Sequence, residues 1–351
     1  PILKGEHVHM KKMLSLLLAL MLIVAAPCAM ADEATGDSPI EIKALILPKF
    51  ESGEMTGDFP GEAQYYYDGY CKDGDEYEIV GGFEDNKLYV KDGVALYVTG
   101  MGKVNTALSL QAVLNDDRFD FSNAYIISTG CAGSAIEYGV MGDVFVITAT
   151  VDFDLGHHAD PREMTSETET TWFHDAGYDS SSYKILNQEL CDKVYNLVKD
   201  VKIETTEKTR NFMSATFDGA EWAVRDPQVL RGTTVTGDNY WKGEHDHMNA
   251  LLMNETYGCP DPYALTEMED NALAVVLDRL GMLDRYIIIR DSVNTDAFMN
   301  GASPESLWDP NFVDSLASDE SVESADIFAT AMENNFKVGK VVIDAIINGE
   351  L

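Results

Sequence analysis

Five short, nearly unbroken apolar runs constrain this chain more than any other feature. They are Ile42–Leu47 (IKALIL), Val94–Gly100 (VALYVTG), Ala124–Thr129 (AYIIST), Val144–Thr148 (VFVIT) and Arg285–Arg290 (RYIIIR). A strand with one wet face alternates apolar and polar residues, whereas a run apolar throughout is covered on both faces. Helical spacing follows over Asn105–Leu114, Asn187–Asp200, Asn271–Leu280 and Ala325–Ile347. Buried strands separated by helices predict an α/β fold with a mostly parallel central sheet flanked by helices. Two stretches lack a strong period, Leu155–Tyr183 and Trp241–Pro262, and read as functional loops. There is no internal repeat and no low-complexity tract.

The N-terminal segment reads as an export signal. Lys11 and Lys12 precede an apolar run, Met13–Ala26, broken only by Ser15, and Ala29-Met30-Ala31 supplies small residues for cleavage before Asp32. Met10 then reads as the start, with Pro1–His9 upstream of it. The run is short for a membrane span, so an uncleaved anchor is the weaker reading. Pro27 before Cys28 argues against a lipoprotein. After residues 1–31 are removed, 32–351 is long enough for one α/β domain with a full core. The expectation is an exported protein, periplasmic or extracellular, with no stable membrane insertion once the signal is gone.

The formal net charge is −35. Such a surface excludes nucleic acid and an anionic membrane face as natural partners, and otherwise speaks to solubility. Cys71, Cys131, Cys191 and Cys259 show no CxxC spacing, which argues against zinc. Asp152-Phe153-Asp154-Leu155-Gly156-His157-His158-Ala159-Asp160 and His245-Asp246-His247 carry metal-ligating side chains. Their spacing matches no standard site, so no metal is expected.

In an open parallel sheet, ligands bind beyond the C-terminal ends of the strands. After Leu47 come Lys49, which could face an anion, and Glu51 and Glu54, either of which could act as a general base. After the second run, Gly100 and Gly102 lead into a helix, a turn suited to an anion or a ribose. Ser128, Thr129, Gly130 and Cys131 crowd the end of the third run with small residues. Tyr240 and Trp241 offer aromatic faces, and Glu267 or Glu269, flanking Met268, could accept hydrogen bonds from vicinal hydroxyls. Asp291, Asn294 and Asp296 follow the last run and could address a purine edge.

Taken in order, GMGKVNTA, IISTGCAGS, GDVFVIT, VTGDNYW, EMED and IIIRDSVN resemble the purine and uridine phosphorylase superfamily, which includes the methylthioadenosine and S-adenosylhomocysteine nucleosidases. ILPKFESGEMTGDFPGEAQYY and DFDLGHHADPRE are similar, more narrowly, to the purine nucleoside permease family, which shares that fold. The resemblance implies one nucleoside-phosphorylase-like domain over 32–351. It implies that Glu269 binds the ribose hydroxyls, that Met268 packs on the sugar, and that Tyr240 stacks on the base with Trp241 beside it. Asn294 falls where the nucleosidases carry a catalytic aspartate, and Cys131 where a serine touches phosphate or the attacking water.

Two departures matter. An asparagine cannot protonate a leaving base, although its amide can hydrogen-bond the purine. Ser128 stands where hexameric phosphorylases place a phosphate-binding arginine, which removes a bidentate anion clamp. The expected function is N-glycosidic cleavage of purine nucleosides by phosphorolysis or hydrolysis. Phosphate would enter as a co-substrate only, and no resident cofactor is expected. The alternative is a non-catalytic nucleoside-binding protein feeding a separate transporter. Proteins of this fold commonly assemble as homo-oligomers.

Overall fold

A computed structural model describes residues 38–164, 170–298 and 319–351. The expected signal and its cleavage site lie outside the described residues. Residues 40–351 form one compact unit.

Ten strands make the main sheet: β1 Ala44–Leu47, β2 Asp75–Glu78, β3 Lys87–Lys91, β4 Val94–Leu96, β5 Tyr125–Ser134, β6 Val144–Asp152, β7 Tyr183–Ile185, β8 Val229–Thr236, β9 Tyr263–Glu267 and β10 Tyr286–Thr295. Their order is β7-β6-β8-β9-β5-β1-β4-β3-β2, and β10 bridges β5 and β6. That bridge closes β6, β8, β9, β5 and β10 into a five-stranded ring. The neighbours in the ring are mixed in direction: β6–β8, β8–β9 and β5–β10 are parallel, while β9–β5 and β10–β6 are antiparallel.

The expectation of a mostly parallel central sheet is corrected accordingly. The α/β class stands, but the sheet is mixed and partly closed. An apolar run reports burial on both faces, and a barrel strand packed between the interior and covering helices is buried in the same way. Strand direction leaves no trace in that pattern.

Burial on both faces is visible residue by residue in β1. Leu45 and Leu47 enter one core with Leu110, Val113, Leu273 and Leu277, while Ala44 and Ile46 enter another with Val338, Val342 and Ile343. The first core is covered by helices α1 (Lys103–Leu114) and α5 (Asp270–Leu280), the second by α6 (Asp319–Ile347) and α2 (Gln188–Val198). Helix α5 ends on Gly281 in the left-handed region, the common stop for a helix. Helix α3 (Glu207–Thr216) lies in a smaller satellite cluster, and α4 (Glu244–Thr256) covers β8 and β9. Among the described residues, no helix is long and apolar enough to cross a membrane.

Candidate functional site

Arg290, in the middle of β10, is the hub of the sheet edge. Its side chain is 1% exposed. Nε donates to Asp270 Oδ2 at 2.9 Å, one terminal nitrogen donates to the Cys131 carbonyl at 3.0 Å, and the other reaches Glu269 Oε2 at 3.0 Å, Asp270 Oδ1 at 2.9 Å and Glu267 Oε2 at 3.3 Å. An isolated buried guanidinium is prohibitively costly, so three carboxylates surround it.

The second buried cation is Lys49, just past β1. Its three ammonium hydrogens go to Leu47 O at 2.5 Å, Ser128 Oγ at 2.8 Å and Thr129 O at 3.2 Å. Burial first, and then Arg290, pull its pKa below the usual lysine value. Ser128 relays the cluster onward, donating to Asp270 Oδ1 at 2.5 Å. Opposite Lys49, Glu62 accepts from the backbone N–H groups of Lys49 at 2.7 Å and Cys131 at 2.8 Å. Gly130 makes this approach feasible. Its φ is +136°, and a Cβ there would sit 2.4 Å from the Glu62 carboxyl.

Five buried carboxyls, from Glu62, Glu267, Glu269, Asp270 and Asp291, therefore face two buried cations. Their protonation divides by environment. Burial, reinforced by the Asp270 charge, pushes Glu267 up to about 7. Burial would also raise Asp270, but Arg290 and Lys49 hold it below the usual carboxylate range. Burial and the neighbouring Glu62 drive Asp291 far above that range. Neither oxygen of Asp291 receives a hydrogen bond among the described residues.

Glu269 stands at the N-terminus of α5, 3% exposed. Gly102 N–H, at the start of α1, donates to Oε1 at 2.9 Å while Arg290 holds Oε2. Each oxygen keeps an unused lone pair. Glu267, the last residue of β9, is fully engaged: it caps α5 through the N–H groups of Glu269 at 2.6 Å and Asp270 at 2.7 Å, and it accepts from the hydroxyls of Thr234 and Thr236. Met268 between them is half-buried.

Most other sequence-predicted residues gather on the same rim. Gly100 and Gly102 both adopt positive φ at the turn into α1. Thr129 donates from Oγ1 to Asn335 of α6 at 2.6 Å. Asn294 and Gly133 are register partners, and the Asn294 amide oxygen lies against the space a Gly133 side chain would fill. Tyr240 is 60% exposed, with the Lys242 ammonium 5.8 Å from its ring centroid, whereas Trp241 stacks on Phe153 at 4.9 Å between ring centroids. Asp296 is buried under His247 and Tyr263.

The loop after β1 divides. Glu51 accepts from the N–H groups of Ser52, Gly61, Ala63 and Gln64, so it closes its own loop. Glu54 is exposed. In the histidine-rich segments the contacts are separate. Asp154 holds Lys103 at 2.8 Å, His157 meets Asp175 at 2.9 Å, His158 meets the Phe153 carbonyl, and His245 meets Thr171. A cavity of about 440 Å³ lined by Lys199, Ile203, Arg210, Asp226 and Val229 lies at the start of β8, the end opposite the Thr236–Glu267 contact.

Sequence reasoning missed Arg290, Asp270 and Glu62 as site residues. A signal existed for the first. A lone arginine closing an otherwise apolar buried run must have anionic partners, and EMED was the acidic segment at hand.

The mixed ring and its covering helices form a fold shared with solved nucleosidases. The chain superposes on a 5′-methylthioadenosine/S-adenosylhomocysteine nucleosidase from Neisseria meningitidis, solved with methylthio-immucillin-A, at a TM-score of 0.52 and 15% identity over 86% of this chain and 99% of that one. The futalosine hydrolase of Helicobacter pylori gives 0.52 and 12%, over 86% and 97%. At such identities the likeness concerns the fold alone. A sequence model of the purine nucleoside permease family matches residues 41–350, and the chain belongs to that family. It is 26% identical over 297 residues to a probable purine nucleoside permease of Schizosaccharomyces pombe, covering 75% of this chain and 80% of that protein. It is also 26% identical over 219 residues to a purine nucleoside permease of Candida albicans, covering 55% of this chain and about half, 52%, of that protein.

Proposed function

We propose that this protein binds purine ribonucleosides at the carboxylate rim and hydrolyses their N-glycosidic bond outside the cytoplasm. The observation that carries this reading is Glu269. It is a buried carboxylate fixed between Gly102 N–H and Arg290, with a lone pair left on each oxygen for a vicinal diol. The bond breaks through a ribosyl cation-like transition state, and the buried Glu269 carboxylate beside the sugar favours its developing positive charge. The Asn294 amide hydrogen-bonds the purine, and the exposed face of Tyr240 covers it. The attacking water sits over Gly102, Ser128, Thr129 and Cys131.

Water is favoured over phosphate by the charge balance. All three Lys49 ammonium hydrogens are committed, and Arg290 is bound by three carboxylates. Ser128 provides no guanidinium. A dianion brought against Ser128, Glu269 and Asp270 would meet carboxylates, with both buried cations there, Lys49 and Arg290, already committed. The second reading, a non-catalytic binder serving a separate transporter, draws on the permease names of the relatives and on the amide at Asn294.

One incubation distinguishes these readings. With inosine, guanosine and adenosine, the expected products are free base and ribose at a rate indifferent to phosphate. Ribose 1-phosphate would establish phosphorolysis, and saturable binding without products would establish a carrier. The export reading rests on Lys11, Lys12, the apolar run and the small residues before Asp32. N-terminal sequencing of secreted protein is expected to begin at Asp32, and a membrane-bound species retaining Met10 would contradict it.

A further inference from the structure

Asp296 lies just past the end of β10, 1% exposed, and three elements converge on it. Ile136 N–H donates to Oδ1 at 3.0 Å, and the Tyr263 hydroxyl from β9 donates to Oδ2 at 2.9 Å. The same Oδ2 lies 2.6 Å from Nδ1 of His247 on α4. The backbone is pinned as well: Asp296 N–H reaches Ser134 O at 2.9 Å, and Gly243 N–H reaches the Asp296 carbonyl at 2.8 Å. An ionised carboxylate accepts only, so Nδ1 carries the hydrogen in this pair. The ring side chain is 16% exposed, and Nε2 makes no hydrogen bond among the described residues. A buried carboxylate that fixes one imidazole nitrogen and leaves the other free is an arrangement for proton transfer.

The dyad is at the right corner of the rim. Segment 238–247 runs along it. Asp238 accepts from Lys103 N–H beside Gly102, Tyr240 follows with its face exposed, and Gly243 and His247 then settle on Asp296. Asn294 lies two residues before Asp296, on the same terminal stretch of β10, against Gly133. The amide of Asn294 can hold a purine edge but has no acidic proton to give it.

We infer that His247 is the general acid that protonates the leaving purine, with Asp296 as its positioning residue. This rests on the glycosidic reading of the rim. As the C1′–N9 bond breaks, its electron pair moves to the purine, and the imidazolium passes its Nε2 proton to the base. The oxygen of water bonds to C1′, and the proton that water sheds returns the imidazole to its charged form through solvent. The net change is nucleoside plus water to purine plus ribose.

The groups beside the imidazole are Asp296, just past β10, and Tyr263 from β9 with its ring 5.6 Å away, while Lys242, at the entry to α4, acts on Asp296. Asp246 sits beside His245 and His158 instead.

The test uses the full chain with two substrates, inosine and p-nitrophenyl β-ribofuranoside, whose nitrophenolate departs without needing a proton. His247→Gln is expected to lower kcat for inosine at least about 100-fold, the usual scale of general-acid assistance. It should also erase the limb on which activity falls with rising pH, while nitrophenyl riboside cleavage drops a few-fold at most. Asp296→Asn should displace that limb and give a smaller loss. Inosine affinity by calorimetry, together with thermal melting, checks that each variant keeps its site. Equal losses on both substrates, or an unchanged inosine pH profile, would overturn the assignment. A parent active on both substrates whose His247→Gln variant matches it defeats only the acid, whereas a parent inactive on both defeats the glycosidic reading and the acid with it.

Discussion

Replacing Glu269 with alanine probes the ribose clamp directly. In the parent, each carboxylate oxygen already accepts one hydrogen bond, from Gly102 N–H at 2.9 Å and from Arg290 at 3.0 Å, and has one lone pair left. A hydrogen bond to a charged acceptor contributes about 1.5–3 kcal/mol, so losing the diol contact should weaken ribonucleoside binding about tenfold to a hundredfold. The fold should survive, because Arg290 keeps its two bonds to Asp270 and its contact with Glu267. Glu269→Gln should fall between, since it retains an acceptor without the charge. Calorimetric titration with inosine and 2′-deoxyinosine reads the effect, and thermal melting monitors the fold. The deoxynucleoside lacks part of the contact at the outset, so Glu269→Ala should cost it less. Equal affinity of parent and variant for both ligands would refute the sugar assignment, and an equal loss for both would point to a disturbed fold.

Two further perturbations follow from the buried carboxyls. Asp291 is buried, unpartnered among the described residues, and raised far above the usual carboxylate range. A raised folded-state pKa gives stability that is fully present below the unfolded value, near 4 for aspartate, and lost as pH rises toward the folded value. Asp291→Asn should therefore raise the melting temperature at pH 8 and change it less at pH 5, and a lowered melting temperature at both would contradict this. Glu267, pushed up to about 7, acts in the same direction between about pH 4.5 and 7. Gly130→Ala would place a methyl 2.4 Å from the Glu62 carboxyl at a φ of +136°. A loss of about 1–3 kcal/mol in chemical denaturation is expected, together with weakened inosine binding, and a neutral variant would show that Glu62 is not held there.

Several layers of this protein were legible in its sequence. Each of the five apolar runs holds a strand, although the one in Val94–Gly100 ends at Leu96. The helical spacings at Asn105–Leu114, Asn187–Asp200, Asn271–Leu280 and Ala325–Ile347 each coincide with a helix to within a residue or two at the ends, except that the last helix begins earlier, at Asp319. Strands β8 (VLRGTTVT) and β9 (YALTE) were not legible. Arg231, Gly232 and several threonines interrupt β8, and β9 has only three apolar residues before Thr266 and Glu267, so neither a continuous apolar run nor a clean alternation marks them. Helix α4 was read as loop because EHDHMNALLMNET has almost no apolar stripe, and only Asn249, Ala250 and Met253 are buried in it.

The sequence by itself determined which segments are buried and which side chains are chemically capable: the glycine turns, EMED, and the polar residues after RYIIIR. Burial and backbone preference are local properties, and a chain writes them in its spacing. Tertiary structure alone decided the direction in which the strands run, the closing of the ring by β10, and the roles of the charged residues. Arg290 meets Asp270 and Glu269 only because β10 and the start of α5 converge, and His247 meets Asp296 only because α4 folds back over the end of β10. Those partners are 20, 21 and 49 residues apart in the chain. An ion pair or a dyad at such separation is fixed by geometry in space, for which one chain's residue spacing carries no signal.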